Sequence, residues 1–454
     1  MNLAGLFGIG LLMATLNSFA GSVMVETGNT RVLFSEETGG VLGIVDRTSG
    51  KNFISKVAEK PGLWRLKLRG GNGELIQLDS RSAARPGVYS QRGSVEFVWT
   101  NLQAKGVTGG FDVRVVCKVS HSDGLAHFRI DVQNKSNSSI LSALFPELDG
   151  FGTAGTSDVA FPKYNWGEMF RGLKGKLYGN YPSADMPMQF CSITEGSNSV
   201  YFAAEDPGAL FKTFLMEPGV TFSVETSVPN ATIVGNNWKE AFDFVVGTYE
   251  GDWMRGCKLY REWALKSAPW TAKGPIARRK DVAKAVKEVG VWLNVSEHFV
   301  ENEKSALAFR KEIGVPIGVQ WYNWHRNPFD KEYPDYLPPK PGFVNSVKEL
   351  KQAGIYSMPY INGRLWDTAN TNYAEARPYA TALENGERFL EDYQSGTKLA
   401  VMCLGNPFWQ TNLAGLIERI AAETGVGGIY IDQVAGAPIA ECFDPSHGHS
   451  LGRD

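Results

Sequence analysis

Between residues 21 and 250, hydrophobic and polar positions alternate with a period of two in many short runs. Phe111, Val113 and Val115 alternate with Asp112 and Arg114, and Phe128, Ile130 and Val132 alternate with His127, Arg129 and Asp131. Such runs predict strands with one face on a core and one in water. Further strands are expected at 30–35, 41–46, 64–69 and 95–100. Turn clusters separate them: Glu37-Thr38-Gly39-Gly40, Arg47-Thr48-Ser49-Gly50, Gly70-Gly71-Asn72-Gly73 and Ser122-Asp123-Gly124. Many short antiparallel strands over this length imply a large sandwich. One stretch breaks the rhythm. From Phe161 through Tyr164-Asn165-Trp166 to Tyr181-Pro182 the chain is aromatic and punctuated by Gly and Pro, as in a long ordered loop.

At Trp253 the period changes. Met254, Leu259, Tyr260, Trp263 and Leu265 share one broad helical face, stopped by Pro269 and Gly274-Pro275. The basic triplet Arg278-Arg279-Lys280 reads as a solvated linker. From Asp281 onward short apolar strands alternate with helices. Strands are expected at 289–295, 317–321, 355–361 and 428–431, and helices at 302–313, 343–353 and 408–424. The apolar run 399–404 has no helix before it and is left out of the series. This alternation predicts a parallel sheet. Four strands in roughly 175 residues amount to half of a (β/α)₈ barrel, which usually needs about 250. The expected domains are therefore a leader at 1–20, a β domain at 21–250, a helical linker at 251–280, and a partial barrel at 281–454 that stops near its middle.

Residues 3–16 are apolar or small throughout and are followed by Asn17-Ser18-Phe19-Ala20-Gly21. That pattern is too short to span a bilayer and reads as a secretory signal cut after Ala20, so a secreted or periplasmic protein is expected. A net charge of −2 over 454 residues offers no basic field for nucleic acid or an anionic membrane. The five cysteines have no spacing that names a disulfide framework or redox motif. His447-Gly448-His449, with Cys442 and Asp444 nearby, lacks further ligands at a known spacing. These histidines are read as loop residues bonding substrate or backbone, and no metal or cofactor is expected.

In a barrel, residues just past the strand ends share one face. Here they are Asn294, Glu297 and His298; Tyr322, Asn323, Trp324, His325 and Arg326; Asn362, Arg364, Trp366 and Asp367; and Asp432 with Gln433. Flat aromatics, amides, a guanidinium and carboxylates suit a sugar, which offers apolar C–H faces and a dense array of hydroxyls. The cleft is expected to contain Trp324, His325, Asn362, Arg364, Trp366 and Gln433 around Asp432, with Trp324, Arg364, Trp366 and Asp432 facing one concave surface.

The order of leader, sandwich, Tyr-Arg-x-Trp-Ala helix (Tyr260 to Ala264) and Tyr-Ile-Asp strand end resembles bacterial glycoside hydrolases with an N-terminal β-supersandwich. These include melibiase-like α-galactosidases and endo-α-N-acetylgalactosaminidases. The stretches 321–325, 358–364 and 428–433 resemble a group of barrel proteins known only as a domain of unknown function near those enzymes. The resemblance implies a β-supersandwich followed by the first half of a (β/α)₈ barrel. It also implies that Asp432, ending the fourth strand, is the nucleophile and that the general acid follows a sixth strand, beyond residue 454. Melibiase-like enzymes usually carry Lys-x-Asp there, where this chain has Tyr430-Ile431-Asp432. The expected function is a secreted glycoside hydrolase on α-linked or complex glycans, with carbohydrate as its partner. Its alternatives are a non-catalytic glycan-binding protein, an inactive barrel fragment or a transglycosylase.

Overall fold

The computed structural model describes residues 21–452, apart from positions 121, 165, 166 and 394. The leader expected at 1–20 lies outside the described residues, and none of the described helices is long and apolar enough to cross a membrane.

The alternating region forms antiparallel sheets of three, six and ten strands. Its buried positions are the ones the period of two marks. In Phe111–Val119 and Ala126–Asn134, alternate residues are sealed and their neighbours reach solvent. The two larger sheets pack face to face through aromatics. Phe202 of the ten-stranded sheet meets Phe222 of the six-stranded sheet at 4.3 Å, and Phe244 meets Phe145 at 5.6 Å. Both contacts are edge-on, the arrangement that ring quadrupoles favour.

On the outer face of the ten-stranded sheet, His127 sits between Asp123 at 3.1 Å and Asp243 at 3.2 Å. Burial would lower its pKa, but the hydrogen bonds to the two carboxylates prevail and push it up to about 9. A folded pKa above the unfolded one gives stability that is complete below about pH 6.5 and is lost as pH rises through about 9. His127→Gln is therefore expected to destabilise the protein by about 2 kcal/mol at pH 6 and much less at pH 10. Denaturant melts of both proteins at the two pH values measure this, and an equal loss at both would count against the imidazolium.

Helix α1 (Trp253–Ser267) starts where Asp252 accepts a hydrogen bond from the Met254 amide at 3.0 Å. It buries Tyr260, Trp263 and Ala264 against the sandwich, with Tyr260 stacked on Phe190 at 5.0 Å. Four parallel strands follow in sequential order: β1 (Val291–Val295), β2 (Ile317–Trp321), β3 (Tyr356–Asn362) and, at the far side, Tyr430–Asp432. Helices α2 (Phe299–Ile313) and α3 (Phe343–Gln352) cover one face through Phe299, Trp321 and Phe343, whose rings lie 5.4 to 5.9 Å apart. Between β3 and the last parallel strand the chain makes an excursion. It forms a small antiparallel sheet of β4 (Leu365–Asp367), β5 (Leu390–Asp392) and β6 (Lys398–Val401), then helix α4 (Pro407–Thr424). The apolar run at 399–404 thus supplies the middle strand of that excursion. The last parallel strand, Tyr430–Asp432, is β7.

Candidate active site

Strand register places a row of tyrosines beneath the C-terminal end of the parallel sheet. Tyr360 pairs with Tyr430 and Asn362 with Asp432, while Trp321 pairs with Pro359, so Tyr322 lies level with Tyr360. The rings of Tyr322 and Tyr360 stack at 4.9 Å, those of Tyr360 and Tyr430 at 6.1 Å, and Phe329 closes on Tyr360 at 5.1 Å. These rings lie on the sheet face opposite Trp321 and the helices, because successive residues of a strand point to opposite sides. Asp432 is two residues beyond Tyr430 and shares its face, half-buried at the rim. Burial pushes the Tyr322 and Tyr430 hydroxyls up, and the negative charge of Asp432 adds to both shifts.

The backbone turns sharply after Asp432. Gln433 adopts φ 67°, and the Asp432 carbonyl accepts from the Gly363 amide at 2.9 Å. A Cβ at Gly363 would lie 2.1 Å from a Val434 methyl, so only glycine lets the exits of β3 and β7 approach this closely. Arg364 follows at once. Its guanidinium is almost fully buried, bonds both Glu391 oxygens at 2.7 and 2.9 Å, and donates from Nε to Gln433 Oε1 at 3.0 Å. Tyr393 donates to Glu391 at 2.7 Å and accepts from Gln433 Nε2 at 3.2 Å. A cleft of about 480 Å³ opens here, lined by Arg364, Tyr393, Tyr430, Asp432, Gln433 and Ala184. Ala184 belongs to the sandwich, on the turn that ends the long aromatic stretch, and its amide donates to the Gly436 carbonyl at 3.1 Å. The cleft therefore lies where the sandwich meets the sheet end.

Of the residues expected around Asp432, the structure brings Arg364 and Gln433 to the cleft wall. The rest lie elsewhere. Trp324 is fully buried, donates its indole N–H to the Tyr360 carbonyl at 2.7 Å and stacks on Tyr336. His325 is buried beside it, and burial depresses its pKa to about 4 against the hydrogen bond to Asn327. Asn362 is buried and caps the turn by accepting from the Arg364 and Leu365 amides, each at 3.0 Å. Trp366 packs on Trp409 and Phe408 with its N–H on Asn372 at 3.0 Å. The shared concave surface expected for Trp324, Arg364, Trp366 and Asp432 is thus corrected. The two tryptophans support the cleft from the core, because the chain after β2 and β3 folds back over them: the Trp324 carbonyl accepts from the Lys340 amide.

Three contributors were not expected from the sequence. Glu391 and Tyr393 come from the excursion, which has no strand–helix rhythm to mark it. Asp330 lies in the β2–α3 loop at φ 60°. Burial raises its pKa, a hydrogen bond from Tyr333 opposes this, and the charge of Asp432 raises it further, so the two carboxyls share one field.

Residues 238–453 match the model of a family described as a domain of unknown function, DUF6259. The matched segment is slightly less than half of the chain. It begins in the ten-stranded sheet at Trp238 and contains Asp330, Arg364, Glu391, Tyr393 and Asp432. The chain is 28% identical over 419 residues to a Bacteroides thetaiotaomicron protein named "Putative glycoside hydrolase", covering 89% of this chain and 61% of that one. It is 29% identical over 317 residues to "Putative glycoside hydrolase 22789" of Monosiga brevicollis, covering 60% of this chain and 26% of that one. It therefore spans about three fifths and about a quarter of those relatives. The α-N-acetylgalactosaminidase NagBb of Bifidobacterium bifidum, solved with GalNAc, superposes with a TM-score of 0.72 at 13% identity over 94% of this chain and 72% of its own. The GH36 α-galactosidase AgaA of Geobacillus stearothermophilus gives 0.50 at 11% identity, over 90% and 65%. The chain thus has relatives named as glycoside hydrolases, and its fold is similar to that of multidomain glycosidases.

Proposed function

We propose that this chain carries the nucleophile half of a retaining glycoside hydrolase for α-linked or complex glycans, exported to the periplasm or beyond. In this reading the four parallel strands are the first half of a (β/α)₈ barrel, and residues 21–250 are its supersandwich. The relatives named glycoside hydrolase support a carbohydrate substrate. The observation that carries the reading is the position of Asp432, a half-buried carboxylate ending the fourth strand over an aromatic row, at the mouth of a cleft. In double displacement the Asp432 carboxylate attacks the anomeric carbon as the glycosidic C–O bond breaks, and the leaving oxygen takes a proton from a second carboxyl. Water then attacks the same carbon as it gives a proton to the second carboxylate, which restores both carboxyls and releases a sugar of retained configuration. Arg364 and Tyr393 hold Gln433, and with it the rim beside Asp432, in one geometry.

The test is turnover of a panel of aryl α-glycosides and mucin-type glycans by the complete gene product, with the first-formed anomer read by NMR. Retained product supports the proposal. Inverted product would exclude the covalent route, and saturable glycan binding without turnover would make the cleft a recognition site.

A further inference from the structure

Four side chains from two distant stretches converge just past β6: Cys403, Cys442, His447 and His449. Their sulfur and ring-nitrogen atoms all lie within 4.8 Å of one another. Cys403 Sγ is 3.1 Å from His449 Nε2, and Cys442 Sγ is 3.3 Å from His447 Nδ1. Around a tetrahedral zinc ion, with Zn–S near 2.3 Å and Zn–N near 2.0–2.1 Å, ligand atoms sit about 3.3–3.8 Å apart. The cluster is close to that size, and a bound ion would draw its widest pair in by about 1 Å.

The histidines are oriented for it. His447 Nε2 lies 2.9 Å from the Pro378 carbonyl oxygen, and His449 Nδ1 lies 3.0 Å from that of Ser450. A carbonyl only accepts, so each of these nitrogens carries the proton, and the lone pairs of His447 Nδ1 and His449 Nε2 face the two sulfurs. Metal-bound histidines are held by this same outer hydrogen bond. Gly448, at φ 83°, lets the residues on either side of it turn inward. At Gly405 a Cβ would come within 3.0 Å of the His449 ring. Cys403, Cys442 and His447 are buried and His449 half-buried.

We propose that Cys403, Cys442, His447 and His449 bind one zinc ion in a closed, structural site. Two thiolates and two imidazoles select zinc over calcium or magnesium, and four protein ligands leave no open position for substrate. Binding deprotonates both thiols, so two protons leave as the ion enters and the thiolates balance its charge. The ion would clamp the exit of β6 to the C-terminal segment. That segment is also tied to the sandwich, by Ser227 to Glu441 and by Asn230 to the Leu451 amide. Cys403 and Cys442 line a pocket of about 500 Å³ together with Arg364 and Gln433, so the clamp fixes a wall continuous with the cleft. The site is independent of the proposed hydrolase activity.

The test is elemental analysis of the full chain after dialysis against metal-free buffer, with thiols counted under denaturing, non-reducing conditions. One zinc per chain is expected, together with five free thiols, the number of cysteines in the sequence. Zinc should be lost in Cys403→Ser and Cys442→Ser. Should those variants fail to fold, apo wild type refilled with cobalt should show the visible bands of tetrahedral thiolate ligation, bleached by added zinc. His449→Ala should release zinc to a chelator faster than wild type. Three results would overturn the site: folded wild type that takes up neither zinc nor cobalt, zinc content unchanged in the cysteine variants (an adventitious ion only), or two thiols missing through a Cys403–Cys442 disulfide.

Discussion

Asp432→Asn is expected to lower glycoside turnover by the complete gene product at least ~10³-fold while leaving carbohydrate binding near wild-type strength. An amide keeps the size and most hydrogen bonds of the carboxylate but cannot attack an anomeric carbon. The residue sits at the rim, half exposed, and its side chain is not part of the buried Arg364 network, so the fold should tolerate the change. A smaller variant separates a nucleophile from a carboxylate that only steadies charge. Asp432→Gly leaves space beside C1, and added azide should restore turnover of an activated aryl α-glycoside, giving the β-glycosyl azide. Undiminished activity in the Asn variant would move the chemistry to another residue, and azide rescue giving the α-glycosyl azide would make Asp432 the acid/base, with the covalent bond formed elsewhere.

The position of Asp432 was legible because it depends on local signals. Gly427-Gly428 ends a helical pattern, a short apolar run follows, and a parallel strand must end where the carboxylate stands. The sandwich was legible for the same reason: a period of two over nine residues, as in Phe111–Val119, admits one reading of which face is buried. The environment of Asp432 was less so. A tryptophan past a strand end is equally suited to a sugar face or a core, and which one it meets depends on how the next loop returns. Trp324 and Trp366 are covered by such returns, whereas Tyr322, Tyr360 and Tyr430, which lie in or beside the strands, form the row beneath Asp432. Cys403 and His449 are separated by 46 positions, so their contact is a property of the tertiary fold that no motif spacing announces. The partnership of Arg364 with Glu391 across 27 positions is hidden in the same way.

That partnership sets the second large effect. Glu391→Ala is expected to destabilise the protein by about 3 kcal/mol, because it strands a buried guanidinium. Arg364 has a side chain only 5% exposed, and Glu391, at 21%, supplies both oxygens that face it. Breaking a fully buried pair typically costs 3–5 kcal/mol, and the partial exposure of Glu391 places this one toward the lower end. The Nη1 atom of Arg364 is buried with no partner among the described residues, so the guanidinium has little other support. A charge-free double variant, Arg364→Met with Glu391→Leu, should recover most of that stability, since two apolar side chains fill the site without an orphaned charge. It should not recover turnover. Gln433 would lose the donor that fixes its amide oxygen, and the rim that carries Asp432 would no longer be held in one position. Urea midpoints of the single and double variants, read alongside kcat, test both halves. A single variant as stable as wild type would show that the ion pair contributes nothing to the fold. A double variant that is both stable and fully active would show that the pair has no part in positioning Asp432.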